Sequence, residues 1–203
     1  SVQSQLLNDH PIAYATRLIP RHNLPVSSTA TPKATALVVG LGDQDIPKAE
    51  IEATRIAALL NVKPLLGDQE ATAERVSVAL KDARFVHFAT HGTLDQINPY
   101  LSWLSLANGE RVEAWQLFRD APQAEMIVLS ACDTKRKASE TGSLSEATTL
   151  NSFAFAGGAR WVVASLWAAD DVRTLEIMQE FYRLLIEEHL DQVQALQRAK
   201  VKI

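Results

Sequence analysis

The sequence predicts an α/β fold with a mostly parallel central sheet that is covered by helices on both faces. Strand-like and helix-like segments alternate along the chain, which is the order found when parallel strands are joined by helical crossovers. The strand-like segments are apolar throughout rather than at every second residue, which indicates that both faces of the sheet are buried. With 203 residues, 47% of them hydrophobic, the chain can bury the core of one such domain.

The first elements of this fold are predicted directly after a polar segment. Residues 1–33 are rich in Ser, Thr, Pro and His, and we expect a lead-in from an upstream region, ahead of a domain over residues 34–203. The run at 36–40 predicts a buried strand. The segment 48–60 predicts a helix because its apolar residues recur at helical spacing: Ile51, Ala53, Ile56 and Leu59. Since the chain starts without Met and stops within a helical pattern, we expect a fragment of a longer protein.

The middle of the chain is predicted to add two strands and a hairpin. A short strand is expected at 62–66, and the next at 85–89. Asn108-Gly109 between two apolar runs indicates a hairpin turn, and a short helix is expected at 113–118. The helix predicted between the two strands, at 72–80, is expected to have four apolar residues on its buried side: Ala73, Val76, Val78 and Leu80.

The last third of the chain is predicted to complete the sheet. An apolar run from Ile127 predicts the strand that leads to Cys132, and residues 161–166 predict another buried strand. The rest of this part is predicted to form one loop and three helices: the loop at 134–145 and helices at 146–156, at 171–188 and from Gln192.

Composition excludes several classes of function. The formal net charge of −4 argues against a domain that binds nucleic acid or an anionic membrane directly, because such domains carry a basic excess. A single cysteine excludes an internal disulfide and a zinc site of the CxxC type, and it favours a reducing, cytoplasmic location. No apolar run reaches the roughly 18 residues needed to span a bilayer. The GxSxG elbow of serine hydrolases is missing. Because phosphate-loop and HExxH motifs are also missing, we expect neither a cofactor nor a metal.

Two of the predicted strands end in groups suited to nucleophilic catalysis. His91 follows the strand at 85–89, and Cys132, the only cysteine, follows the strand from Ile127. Functional residues of parallel sheets lie in the loops at the carboxyl ends of the strands, so we expect an imidazole and a thiol at one edge. A thiol and an imidazole are the two groups that a cysteine nucleophile and its general base require. The alternative is that Cys132 is a small buried hydrophobic residue, which is the common role of a lone cysteine.

The neighbouring residues favour the catalytic interpretation. Small or polar residues surround Cys132, so the thiol would leave the core where backbone N–H groups become free. Gly92 has no Cβ, so its N–H can approach a substrate carbonyl oxygen and form an oxyanion hole with the N–H of Cys132. His91 would act as general base and acid, whereas His87, inside the apolar strand, is predicted to be structural. No third catalytic group is indicated.

Other motifs allow alternative hypotheses. Gly40-Leu41-Gly42 follows the first strand as in dinucleotide-binding proteins, but position 45 is Asp where that fingerprint needs its third glycine. Asp170-Asp171 fits the N-cap and first-turn acid of the long helix. Alternatively, one of these two carboxylates, or Asp133 beside the nucleophile, lines a pocket for a basic side chain of the substrate, with Trp167 in the pocket wall.

Several ordered motifs resemble those of the CHAT domain, a caspase- and separase-like cysteine peptidase module of clan CD. Residues 46–52 resemble the family's Pro-x-Ala-x-x-Glu opening of the first helix. Residues 87–92 match its His-Phe-Ala-x-His-Gly motif, and residues 128–134 resemble its Leu-Ser-Ala-Cys-x-Thr motif. Three later segments also occur in the expected order: 153–159, 162–167 and Phe181-Tyr182.

The resemblance implies a three-layer α/β/α caspase-like fold and hydrolysis of peptide bonds in a protein or peptide substrate through a thioester acyl-enzyme. It assigns Cys132 and His91 as the catalytic dyad and Gly92 to the oxyanion hole. It also implies a bacterial protein in which an upstream sensor region, such as tetratricopeptide repeats, or another partner controls the domain. The leading alternative is a catalytically silent interaction module, a pseudoprotease that retains the fold for docking.

Two departures from the family pattern concern specificity and regulation. The Leu-Trp segment resembles the stretch in separases that supplies an acidic group to an arginine-specific pocket. Here Ala168 follows Trp167, and the nearest acids after it are Asp170 and Asp171, so a preference for Arg or Lys is left open. The loop after Thr134 begins with three basic residues, where the family commonly has glycine, and we expect it to be remodelled or regulatory.

Overall fold

The structure, a computed structural model, describes residues 35–93, 95, 98–121, 124–130, 159–164 and 171–203. The predicted lead-in, the loop at 134–145 and the helix at 146–156 lie outside the described residues. In the part of the chain that is described, no helix combines the length and the apolar character needed to cross a membrane.

A five-stranded parallel sheet forms the centre of the domain. Its strands, in chain order, are β1 Ala36–Gly40, β2 Leu65–Leu66, β3 Phe85–Ala89, β7 Met126–Ser130 and β8 Trp161–Ala164. Their order across the sheet is β2-β1-β3-β7-β8, and all four neighbouring pairs run parallel. The predicted mostly parallel sheet is therefore confirmed.

Helices cover both faces of this sheet, which gives the three-layer α/β/α architecture. On one face, α1 (Ala49–Leu60), α5 (Asp171–Ile186) and α6 (Gln192–Lys202) pack on the strands around Val38, Val128 and Phe181. On the other face, α3 (Ala73–Leu80) and α4 (Ala114–Asp120) pack around Val39, Phe88 and Leu129. A one-turn helix, α2 (Gly67–Glu70), follows β2. Successive residues of a strand point to opposite faces of the sheet, so they pack in the two hydrophobic cores alternately.

A small antiparallel sheet lies beside the carboxyl end of β3. It contains β4 (Gly92–Thr93), β5 (Trp103–Ser105) and β6 (Arg111–Glu113) in that order. The predicted hairpin at Asn108-Gly109 is confirmed, since both residues have the positive φ values, 58° and 74°, that Asn and Gly tolerate in such turns. Strand β4 is too short to be recognised from sequence alone.

Two apolar residues predicted to be buried are exposed. Ile51 in α1 is 40% exposed, and Val78 in α3 is 63% exposed. Residues two apart lie on nearly opposite sides of a helix, so burying Ala49 and Ala53 turns Ile51 outward, and burying Val76 and Leu80 turns Val78 outward. The predicted strand at 62–66 is likewise reduced to two residues, Leu65–Leu66.

The glycines after β1 have a packing explanation. A Cβ on Gly40 would lie 2.5 Å from the Cβ of Ala53, and one on Gly42 would lie 2.8 Å from the carbonyl oxygen of Ile46. These distances are too short for any side chain, so glycine lets α1 and the loop before it approach the end of β1. The Gly40-Leu41-Gly42 motif is therefore accounted for without a dinucleotide.

Candidate active site

The register of the central sheet sets the position of the candidate site. Strands β3 and β7 are neighbours, and Ala89 at the end of β3 pairs with Ser130 at the end of β7. His91 follows Ala89 by two residues, and Cys132 follows Ser130 by two residues. Cys132 itself lies outside the described residues. Each predicted dyad residue therefore follows its strand end by the same number of residues. Both strand ends lie at the carboxyl edge of the sheet, where parallel sheets have their functional sites.

Hydrogen bonds to the small sheet hold the chain at His91. The carbonyl of His91 accepts from the backbone N–H of Ser105 at 2.8 Å, and the hydroxyl of the preceding Thr90 donates to the carbonyl of Ser105 at 2.8 Å. His91 is only 9% exposed. The two hydrogen bonds to Ser105 thus fix the chain at Thr90 and His91, so the small sheet determines where the imidazole lies.

Among the described residues, His91 has an acidic partner in Asp43. Nε2 of His91 lies 2.9 Å from Oδ2 of Asp43. The other carboxylate oxygen, Oδ1, accepts the backbone N–H groups of Asp45 at 2.9 Å and Ile46 at 3.3 Å. No local signal in the sequence indicates this contact. It arises because Asp43 follows β1, and β1 pairs with β3 so that Gly40 is opposite Ala89.

These contacts keep the Asp43 carboxylate charged. Partial burial acts to raise the pKa of Asp43, but the hydrogen bond with His91 and those from the backbone of Asp45 and Ile46 outweigh it and hold the pKa below its usual value. Asp43 is therefore ionised at neutral pH, so a negative charge faces His91 throughout the range in which a histidine base operates.

The same corner contains one group of side chains that could hold a metal ion. Asp43, Asp45 and His91 each offer one ligand atom, and these atoms lie within 4.8 Å of one another. It is the one such group among the described residues. Two of its three members are exposed carboxylates, which occur commonly without an ion, and the expected absence of a metal stays a prediction.

Comparison with models of protein families matches the CHAT domain over residues 3–203. The chain belongs to the CHAT domain family. The family is related to the caspase-like cysteine peptidases of clan CD, so the resemblance seen in the ordered motifs is confirmed. A search of curated proteins found no match to the chain.

Two motifs of the CHAT domain meet in the core directly behind the site. Glu52, the last residue of the Pro-x-Ala-x-x-Glu motif, places Oε1 3.1 Å from Nε2 of His87, the first residue of the His-Phe-Ala-x-His-Gly motif. Within the described part of the chain, neither of these two atoms has a hydrogen-bond partner, so the two side chains are close neighbours without a hydrogen bond between them. Nδ1 of His87 lies 3.4 Å from the hydroxyl of Tyr182. All three side chains are buried, as the structural prediction for His87 requires.

The hydroxyl of Tyr182 belongs to the same buried group. Burial, followed by the nearby charge of Glu52, raises the pKa of Tyr182 well above its ordinary value. The phenol therefore remains protonated, and its hydroxyl can donate to Nδ1 of His87 or accept from it, according to which ring nitrogen carries the hydrogen.

The other predicted site residues of the CHAT domain divide into two sets. Gly92 is buried and begins β4, where it pairs with Leu104, and its assignment to the oxyanion hole stays a prediction. Asp171 begins α5, as predicted, and its Oδ2 accepts the backbone N–H of Lys48 at 2.7 Å, at the start of α1. The remaining candidates for the substrate pocket lie outside the described residues: Asp133, Trp167 and Asp170.

Proposed function

We propose that this CHAT domain is a cysteine endopeptidase that hydrolyses peptide bonds of protein substrates, with Cys132 as nucleophile and His91 as its base. The single observation that carries the proposal is the register of β3 and β7, in which Ala89 pairs with Ser130. Neighbouring strands lie about 4.8 Å apart. Residues two positions beyond paired strand ends therefore start from adjacent points, from which a thiol and an imidazole side chain can come within hydrogen-bond reach of each other.

The chemistry would follow acyl transfer through a thioester. His91 accepts the proton of the Cys132 thiol as the sulfur attacks the scissile carbonyl carbon, and the oxyanion that forms accepts backbone N–H groups of Gly92 and Cys132. The imidazolium then donates that proton to the leaving amine, which breaks the C–N bond and leaves a thioester. Water, deprotonated by His91, attacks the thioester, and the proton returns to the cysteine sulfur.

The single cysteine makes this proposal simple to test. Labelling by a peptidyl acyloxymethyl ketone, a thiol-directed reagent, can be followed by intact-protein mass spectrometry, and mass that is added to the wild type but not to Cys132→Ala must be on Cys132. We expect the wild-type protein to be labelled at least 100-fold faster than His91→Ala, because general-base catalysis contributes about 10²- to 10⁴-fold. Peptide hydrolysis should be absent in Cys132→Ala.

His189→Asn provides the matched control, because this histidine is exposed and lies between α5 and α6. Its φ of 54° is one that Asn adopts readily, so the fold should be unaffected. Equal labelling rates in wild type, His91→Ala and His189→Asn would instead indicate an ordinary thiol and favour the silent interaction module.

We further propose that the substrate pocket accepts a basic side chain and that one of Asp133, Asp170 and Asp171 supplies its charge, with Trp167 in its wall. Because Oδ2 of Asp171 already accepts the backbone N–H of Lys48, Asp133 and Asp170 are the stronger candidates. A peptide library should show Arg or Lys before the scissile bond, and Asp133→Asn or Asp170→Asn should abolish that preference more completely than Asp171→Asn. No basic preference in the wild type would remove this proposal.

Control by an upstream sensor region or a partner is proposed from the family alone. If it operates, the longer protein should show a lower rate of Cys132 labelling than residues 1–203, and its activating signal should restore the rate. Equal labelling rates under all conditions would contradict such control.

A further inference from the structure

We propose that Asp43 is a positioning residue for His91: its carboxylate holds the Nε2–H of the imidazole and thereby reserves Nδ1 to accept the proton of the Cys132 thiol. The inference rests on the proposed peptidase function and adds a third group that the dyad of the family does not include. Asp43 acts only through His91 and would not contact the substrate.

The tautomer follows from the chemistry of the two groups in contact. Nε2 of His91 and Oδ2 of Asp43 are 2.9 Å apart, which is an ordinary length for a hydrogen bond between them. An ionised carboxylate can only accept, so Nε2 must carry the hydrogen. A neutral imidazole has one N–H, so the lone pair that serves as base is then on Nδ1.

Asp43 is itself fixed in the orientation that this role requires. Its Oδ1 accepts two backbone N–H groups of its own turn, from Asp45 and Ile46, which leaves Oδ2 as the oxygen that faces His91. The turn is attached to the sheet because the N–H of Leu41 donates to the carbonyl of Ala89 at 3.0 Å. The carboxylate and the imidazole are thus anchored to the ends of two paired strands, β1 and β3.

The arrangement would contribute at two points of the reaction. Before attack, it excludes the Nδ1–H tautomer, in which the nitrogen facing the thiol could not accept a proton. After attack, Nδ1 carries the thiol proton and Nε2 keeps its own, so the imidazolium has a negative charge beside it until Nδ1 donates to the leaving amine. The number of protons on Asp43 does not change in either step.

A metal site is the competing interpretation of the same corner, and Asp45 separates the two. A metal ion would need ligand atoms from Asp43, Asp45 and His91 together. In the positioning role the side chain of Asp45 has no part, since only its backbone N–H contacts Asp43. Asp43→Asn and Asp45→Asn remove the same charge from the same turn and therefore form a matched pair.

The test measures hydrolysis of a peptide substrate, and labelling of Cys132, in these two variants. Asn can still accept the backbone N–H groups with its oxygen, which turns its NH₂ group toward Nε2 and favours the wrong imidazole tautomer. The equivalent exchange in Ser-His-Asp proteases costs about 10⁴-fold in kcat. The Asp43 side chain is 49% exposed, and water can partly replace it, so we expect a loss of about 100-fold in kcat with little change in KM. Asp45→Asn should stay within about twofold of wild type.

A spectroscopic readout makes the result independent of catalysis. In ¹⁵N spectra of the imidazole rings, assigned by comparison with His91→Gln, neutral His91 should be the Nε2–H tautomer in the wild type and should shift toward Nδ1–H in Asp43→Asn. If wild type and His91→Gln label equally, the peptidase proposal fails, while this spectrum still decides whether Asp43 sets the tautomer.

Two results would overturn the positioning role. One is an Asp43→Asn protein with the wild-type rate and the wild-type tautomer. The other is a loss of wild-type activity in EDTA that added Zn²⁺ or Ca²⁺ restores, together with equal losses in Asp43→Asn and Asp45→Asn, which would assign the corner to a metal. We expect EDTA to leave the wild-type rate unchanged.

Discussion

Strand β3 places two histidines, each beside a carboxylate, in opposite environments. His87 lies within the strand, is fully buried, and has Glu52 of α1 at 3.1 Å. His91 lies just beyond the strand end and has Asp43, half exposed in a turn, at 2.9 Å. The separations of the ring and the carboxylate are nearly the same. What differs is access to water, and this difference separates a pair that stabilises the fold from one that can exchange protons.

Desolvation explains why the buried pair is unsuited to catalysis. Charged groups in a dry interior are costly unless they are paired. The side chains of Glu52 and His87 are only 2% and 1% exposed, so neither solvent nor substrate reaches them. Asp43 and His91 are at the carboxyl edge of the sheet, where solvent or substrate can supply and remove protons. The comparison therefore predicts that changes at His91 affect rate, whereas changes at His87 and its partners affect stability.

The largest expected effect is on catalysis. His91→Gln should lower kcat/KM for peptide hydrolysis by about 10³-fold, because general-base catalysis is lost. Its free energy of unfolding in urea should change by less than about 1 kcal/mol, since the residue lies at the edge of the sheet. His87→Gln should show the reverse pattern. A similar loss of rate in both variants, with unchanged stability, would contradict the division of roles.

The next effect concerns the buried pair itself. Glu52→Ala should lower the free energy of unfolding by about 3 kcal/mol, because removing the carboxylate leaves the buried imidazole of His87 without its polar neighbour and creates a cavity. Glu50→Ala, in the same turn of α1 but only partly buried, should cost less than about 1 kcal/mol. Both values can be measured by urea unfolding at neutral pH.

A double variant separates pairing from packing. Replacing Glu52 and His87 together by Leu should recover much of the loss, since well-packed apolar side chains often replace buried ion pairs at little cost. If the double variant is as unstable as the sum of the two single Leu variants, the groups do not interact, and the account of this pair is wrong.

A third carboxylate, that of Glu180, tests how charged partners make the free energy of unfolding depend on pH. The hydrogen bond from Arg183, against the opposing effect of burial and with further help from Lys202, lowers the pKa of Glu180 to about 2. Since the folded pKa lies below the unfolded value of 4.5, this carboxylate stabilises the protein above pH 4.5, and the contribution is lost as pH falls toward 2. Both arginine and lysine partners are partly exposed, so we expect about 1–2 kcal/mol.

Glu180→Gln should therefore reduce the slope of stability against pH between about 4.5 and 2, as measured by urea unfolding, and leave Cys132 labelling unchanged. Glu187→Gln is the control, because this more exposed carboxylate also contacts Arg183, at 3.6 Å. An unchanged acid slope in Glu180→Gln would show that the pairing with Arg183 adds nothing.

The comparison also shows which parts of the site are accessible from sequence. His91 is predictable because its signal is local: an apolar strand ends, and His-Gly follows. The sheet follows from the same kind of signal at β1, β3, β7 and β8. Asp43 has no such signal, since an acid in a turn is ordinary, and its contact with His91 exists only because β1 pairs with β3 in register.

Burial in the helices was harder to predict for a similar reason. Both Ile51 and Glu52 lie in α1, and hydrophobicity alone favours burying Ile51. In the structure Glu52 instead faces the core, where it contacts His87. These two residues are 35 positions apart in the sequence, so no local pattern indicates the contact. Cys132, Asp133 and Asp170 lie outside the described residues, so their roles stay predictions.

The smallest expected effect lies at the far side of the buried pair. The hydroxyl of Tyr182 is 3.4 Å from Nδ1 of His87, which is long for a hydrogen bond, and the other ring nitrogen of His87 faces Glu52. Tyr182→Phe should therefore cost only about 0.5–1 kcal/mol in urea unfolding, less than Glu52→Ala. The rate of Cys132 labelling should not change, because the ring contacts that Tyr182 shares with Phe181 and His87 remain in Phe. A tenfold loss of labelling in Tyr182→Phe would show that the buried group transmits its state along β3 to His91, and the two histidines would then form one network rather than two separate sites.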